Sequence, residues 1–175
     1  MKYLKTYENY NHEYIKILYS DNDKKIILLD NNKIKKEYKN SNDYNLILAK
    51  KYFILDEKIF PKVYDTGINY IIVECLDTKK AKNEFKKLND YFKKNFKSTV
   101  RPYIYMDSTN EDAKKSTQPK KLESSLPIDI EELFIKYKNL MVKIKKIIKN
   151  KSFLLDVHED NFGYDINGNL KMIDL

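Results

Sequence analysis

The sequence predicts an α+β protein, a small antiparallel sheet with one helix followed by a mostly helical second part. Three observations carry this. Five short apolar or alternating segments, parted by Asn, Asp and Gly turns, occupy the first 77 residues. Two lysine-rich amphipathic segments dominate the middle and the second half, and a hairpin-like stretch closes the chain. Strand runs bounded by turn residues, then runs of helical period, are the pattern of an α+β architecture.

The first segment, residues 14–21 (YIKILYSD), alternates apolar and polar residues as a half-buried strand does. Asp21-Asn22-Asp23 turns the chain into KKIILLD, a second strand, and Asp30-Asn31-Asn32 turns it into KIKKEY, a third. Asn40-Ser41-Asn42-Asp43 offers helix N-caps, and YNLILAKKYFIL continues as a helix with Tyr44, Ile47, Leu48 and Tyr52 at helical spacing, apolar enough to be mostly buried. FPKVYDTG and INYIIVECL, parted at Gly67, give two more strands. The order is β-β-β-α-β-β.

Residues 78–96 are lysine-rich with Phe85, Leu88, Tyr91 and Phe92 on one face, an amphipathic helix. Residues 97–127 hold three of the four prolines and read as a long, flexible exposed insertion. A capping-box-like start, Asp129 with Glu132, precedes a helix whose apolar stripe runs from Ile130 to Ile148. The expected organisation is a sheet lobe over residues 1–77 and a reduced C-terminal lobe over residues 78–175.

Composition bounds the rest. A chain of 175 residues that is 42% hydrophobic can bury a real core. Cys75 is the single cysteine, so no intramolecular disulfide forms, which fits a reducing compartment. No apolar run reaches the roughly 18–20 residues of a membrane span, and the first residues are too polar for a signal peptide, so the expectation is cytoplasmic with no membrane partner. The net charge of +8 invites a nucleic-acid partner. Against it, Arg101 is the one arginine, and a lysine, asparagine, isoleucine and tyrosine excess is what an AT-rich genome writes unselected.

Residues 153–175, FLLDVHEDNFGYDINGNLKMIDL, carry the chemistry. A hairpin turning at Asn167-Gly168 brings Asn161, before its first strand, close to Asp174, after its second. Asp156, five residues upstream, folds over the same spot. Three oxygen-bearing side chains converging there suit a hard cation such as Mg²⁺ and leave one carboxylate to orient a hydroxyl. An Asp–Asn–Asp hairpin is also ordinary surface-turn chemistry.

The pattern D-x-H-x-x-N, then a hairpin and I-D-L, here DVHEDN and FGYDINGNLKMIDL, resembles the core of the protein-kinase-like fold. Within it the sequence looks like the aminoglycoside and choline kinase branch and small phage-encoded kinase-like proteins. The resemblance implies Asp156 as the catalytic-loop Asp, Asn161 and Asp174 as Mg²⁺ ligands on ATP, and His158 as a brace of the loop. It implies Glu74, Cys75 and Leu76 as the linker whose backbone meets adenine. Lys35, after Ile34, is the expected phosphate lysine, with Lys36 and Lys25 behind it. The turn at Ser20-Asp21-Asn22-Asp23 lacks the glycines of a nucleotide-covering loop, residues 41–55 hold no Glu to pair with that lysine, and Leu154-Leu155 stand where the family has a His. The sequence stops at Leu175, before the segment that would bind an acceptor, so a second chain completing the lobe is one expected arrangement. The implied function is a minimal ATP- and Mg²⁺-dependent phosphotransferase acting on a protein or small-molecule hydroxyl. The alternatives are a catalytically inactive pseudokinase-like binding or structural module and, more remotely, a basic nucleic-acid binder.

Overall fold

The computed structural model describes residues 14–100, 104, 126–148 and 157–174. Five strands, β1 (Tyr14–Ser20), β2 (Lys24–Leu29), β3 (Lys33–Tyr38), β4 (Val63–Thr66) and β5 (Tyr70–Glu74), pair antiparallel in the order β1-β2-β3-β5-β4. Asn31 and Asn32, both with φ near +55° (55° and 56°), lie in the three-residue turn Asp30–Asn32 between β2 and β3. Asn tolerates this left-handed region better than most residues. Asp21 closes the β1–β2 turn: its Oδ1 accepts from the amides of Asp23 (2.8 Å) and Lys24 (2.6 Å), and its own amide donates to the Lys24 carbonyl (3.0 Å).

The register sorts the sheet into two faces. Lys24 opposes Tyr38, Ile26 opposes Lys36 and Leu28 opposes Ile34, while across β3 Ile34 opposes Val73 and Lys36 opposes Ile71. These residues share the inner face, where Tyr38, Ile71 and Val73 join the main core. Ile27, Leu29 and Ile72 form a separate small cluster on the outer face, with Tyr70 against it. β1 departs from its half-buried expectation, since Ile15, Ile17, Leu18 and Tyr19 are all exposed. It is the edge strand, and its pairing with β2 slips twice, so its alternation no longer coincides with a covered face.

Helix α1 (Tyr44–Tyr52) crosses the inner face and starts at Asp43, whose carboxylate accepts from the Asn45 (2.9 Å) and Leu46 (3.2 Å) amides. It buries Leu46, Leu48, Ala49 and Tyr52 but leaves Tyr44 and Ile47 exposed, so only part of the apolar stretch faces the core. A 3-10 turn over Phe53–Leu55 ends it, and Phe53 stacks on Phe60 at 5.3 Å.

The second part packs α2 (Thr78–Phe96) against α3 (Ile128–Ile148) and a two-stranded hairpin, β6 (Phe162–Tyr164) and β7 (Leu170–Met172). Phe85, Tyr137 and Phe162 meet with ring centroids 5.0–5.4 Å apart, and the Tyr137 hydroxyl donates to the Ala81 carbonyl at 2.9 Å. The start of α3 differs from the capping box expected at Asp129. The Pro127 carbonyl accepts from the amides of Ile130 and Glu131 instead, which frees the Asp129 carboxylate to bind Lys87 at 2.6 Å. Most of the insertion expected over residues 97–127 lies outside the described residues, although Val100 and Leu126 are buried in the core.

The linker from β5 to α2 lies directly on the hairpin. Asp77 and Tyr164 exchange backbone hydrogen bonds of 2.8 and 3.1 Å, and a Cβ at Gly163 would sit 2.6 Å from the Cβ of Leu76. Only glycine allows this approach. Gly163→Ala is expected to destabilise the fold by about 1–3 kcal/mol, because the clash is with a rigid Cβ. Urea unfolding should show a lower midpoint with an unchanged slope.

Candidate functional site

The inner face of the sheet meets the hairpin at Asp174, two residues past β7. Its Oδ1 accepts from Lys36 Nζ at 2.5 Å, and its Oδ2 lies 3.8 Å from Lys24 Nζ. Lys36 also donates to the carbonyl of Ile173 at 3.1 Å. Lys36 is only 3% exposed, so its charge is deeply withdrawn from water and needs the partner it has. Burial pushes the Asp174 carboxyl up, but the Coulomb fields of Lys36 and Lys24, the Lys36 hydrogen bond and the field of His158 together outweigh it. The group is held below the ordinary carboxylate value.

Asn161 is buried beside this pair. A backbone hydrogen bond holds it there, the Ile173 amide donating to the Asn161 carbonyl at 2.8 Å. A short 3-10 turn, Glu159–Asn161, precedes it, capped by His158, whose Nδ1 accepts from the Asp160 amide at 3.2 Å. Asp160 in turn binds Lys82 of α2 at 2.7 Å, which moors this loop to the helix. The structure therefore brings Asn161, Asp174 and His158 into one neighbourhood. Asp156 lies outside the described residues.

Lys35 requires correction. It lies on the outer face, 2.6 Å from Glu37 and 4.6 Å from the Tyr70 ring centroid, turned away from Asp174. Lys36 holds the inner position instead. The error is one residue along a strand, which carries a side chain to the other face. Lys24, which no motif in the sequence singles out, is on the inner face with Lys36.

Glu74 does not present its side chain to an open cleft. Its Oε2 accepts from Lys171 Nζ at 2.7 Å, and Lys171 also lies 3.2 Å from Asp165 Oδ2. Both Lys171 and Asp165 are buried. Burial pushes the Asp165 carboxyl up, but hydrogen bonds from the Asn169 side chain and amide and the pairing with Lys171 prevail and hold it low. The network had a visible half: Asp165 and Asn169 are the ends of the turn. Its partner Glu74 is 97 residues from Lys171, and no local pattern announces that pairing.

The linker backbone is mostly occupied. The amides of Glu74, Cys75 and Asp77 donate to the carbonyls of Lys62, Asn32 and Tyr164. Among the described residues none accepts from the Leu76 amide. A second unforeseen group, Tyr164 with Glu84 and Lys136, fastens the hairpin to both helices; Lys136 donates to the Tyr164 hydroxyl at 2.8 Å, and that hydroxyl donates to Glu84.

The donor set suits a hard cation. A carboxylate kept ionised, one residue after Ile173, whose amide binds the carbonyl of the buried Asn161, gives the kind of partial oxygen set that Mg²⁺ accepts when phosphate oxygens complete it. Among the described residues no group of three or more His, Cys, Asp or Glu forms a metal cage on its own. No described helix is long and apolar enough to cross a membrane.

No protein-family model matches the sequence, and no curated protein matches it. Among solved structures the chain is similar to the ternary complex of streptomycin and ATP with the aminoglycoside phosphotransferase APH(2'')-IIa. The identity is 16% and the TM-score 0.38, over 93% of this chain and 64% of that one. The chain thus spans just under two thirds of that protein's length. Its own architecture is α+β, with an antiparallel five-stranded sheet and a few helices.

The Lys36–Asp174 pair has a definite pH signature. Because the folded-state pKa of Asp174 is depressed, its contribution is present above the ordinary value of 3.8 and is lost as pH falls through the folded value. Asp174→Asn should cost about 1–3 kcal/mol near neutral pH, since it strands a buried ammonium. The gap between wild type and variant, followed by urea unfolding from pH 7 downward, should close in acid below about pH 4.

Proposed function

We propose that this chain is a minimal kinase-like protein that binds ATP with Mg²⁺ between the sheet and the hairpin and transfers a phosphoryl group to a hydroxyl of a protein or small molecule. The observation that carries it is the Lys36–Asp174 pair. A lysine on the third strand and an acid after the last hairpin, 138 residues apart in sequence, meet at 2.5 Å beside a buried Asn161. Phosphoryl transfer needs such a set: a cation for the phosphates, oxygen ligands for the metal and a group to orient the attacking hydroxyl.

The inner face is graded to match a nucleotide. At the linker end it is apolar, with Leu28, Ile34 and Val73 in one row. Toward the β1–β2 turn it becomes cationic, with Lys36 and then Lys24. A base fits the first end, with the Leu76 amide as a donor at its edge, and phosphates fit the second. Lys36 would move from Asp174 to the phosphates. Asp174 and Asn161 would hold Mg²⁺, which when bound offsets phosphate charge. Asp156 enters on the sequence motif, two residues before His158, as the group that orients the acceptor hydroxyl.

A second reading, nucleotide binding without transfer, is favoured by one feature. No carboxylate on α1 competes with Asp174 for Lys36, so nothing on the helix holds that lysine toward a nucleotide.

Purified protein incubated with labelled ATP, Mg²⁺ and a panel of hydroxyl acceptors separates the readings. Transfer by the wild type that falls at least about hundredfold in Asp156→Ala supports catalysis. Equal background from both proteins sinks it. Thermal stabilisation by ATP that requires Mg²⁺ and vanishes in Asp174→Ala, without transfer, leaves the binding module.

A further inference from the structure

We propose that Lys24 is a second phosphate-binding residue, supplying with a side chain what backbone amides supply in a glycine-rich nucleotide loop. The inference rests on the nucleotide reading of this face and adds to it a specific residue and its reason.

A loop cradles phosphate through amides that point at the ligand and are otherwise unpaired. The β1–β2 turn has committed three of its amides. Those of Asp23 and Lys24 donate to the Asp21 carboxylate, and that of Asp21 donates back to the Lys24 carbonyl. The Asp21 carboxylate is engaged further by the Tyr19 hydroxyl at 2.5 Å. The turn contains no glycine that would let the backbone approach a ligand. Phosphates at this end of the sheet would therefore be met chiefly by side chains.

Two ammonium groups are placed to meet them. Lys24 and Lys36 lie on the same face of adjacent strands, diagonal to one another, since the direct partners are Lys24 with Tyr38 and Ile26 with Lys36. Each faces a different oxygen of Asp174, at 3.8 and 2.5 Å. Two lysines on one carboxylate leave an excess positive charge, which an anion would neutralise. Lys24 is also steered: its Nζ lies over the buried Tyr38 ring, 5.9 Å from the ring centroid. It remains 21% exposed, open to a ligand in a way the nearly buried Lys36 is not. Lys25, one residue on, pairs with Glu37 on the outer face and provides a control of equal charge.

Isothermal titration of wild type, Lys24→Met and Lys25→Met with ATP and with adenosine, both in Mg²⁺, tests the inference. Lys24→Met is expected to weaken ATP about tenfold or more, the size of one charge-assisted contact, and to leave adenosine unchanged. Lys25→Met should match the wild type, and Lys24→Arg should recover most of the loss. Equal effects of Lys24→Met and Lys25→Met overturn the inference, as does an equal loss for ATP and adenosine, which marks a merely structural role. Wild type that binds ATP with Lys24→Met unaffected defeats this inference alone. Wild type that binds neither ligand defeats the nucleotide reading and this inference with it.

Discussion

A lysine ammonium withdrawn from water must find an acid, and Lys36 finds Asp174. That requirement fixes how the two halves of the molecule meet. Lys36 is presented by the middle of the sheet, and Asp174 by the chain just beyond β7, so the pair sets the hairpin against the inner face. Asn161 comes with it, because the hairpin carries it there through the Ile173 amide. An uncompensated ammonium at this depth would cost several kcal/mol, so sheet, hairpin and site are arranged around one electrostatic demand. Lys24 adds a weaker, more exposed attraction to the other oxygen.

Part of the lysine excess, which at the level of composition suggested a polyanion partner, is put to use within the fold. Lys33 lies 4.8 Å from the Tyr64 ring centroid, Lys80 lies 4.6 Å from that of Tyr164, and Lys35 lies over Tyr70. In a chain with 15 tyrosines and no tryptophan, such contacts let long aliphatic stems cover apolar surface while the charge stays near water. A net charge of +8 is thus compatible with a small, specific cationic locus instead of a broad basic surface.

What could be read in the sequence was local, and what could not was distant. The turns at Asp21, Asn31 and Gly168 were legible because left-handed or self-capping geometry demands Asn, Asp or Gly, and with them came the order of elements along the chain. Both ends of α2 matched because Asp77 caps it and the apolar spacing is unbroken. Asn161 and Asp174 were legible because a hairpin brings its own ends together whatever else the protein does. The choice of Lys35 over Lys36 failed because three consecutive charged or apolar residues on a strand do not reveal which face is covered. The pairings of Glu74 with Lys171 and of Tyr164 with Glu84 left no trace, since the partners are 97 and 80 residues apart and no local pattern links them. The exposed edge strand failed differently, its pattern being overruled by slips in pairing.

The contact of the linker with the hairpin has a mechanical consequence. A tether between two layers ordinarily acts as a pivot, yet this one has almost no slack. Gly163 brings it to within side-chain-free distance of the hairpin, the Asp77–Tyr164 ladder stitches its far end, and the ion pair of Glu74 with Lys171 clamps its near end. Rotating the sheet about residues 74–77 would mean separating a buried charge pair and breaking two backbone bonds at once. The far edge of the sheet is β1, whose pairing with β2 slips twice. The sheet is thus seamed to the hairpin at the linker and least regular at its far edge.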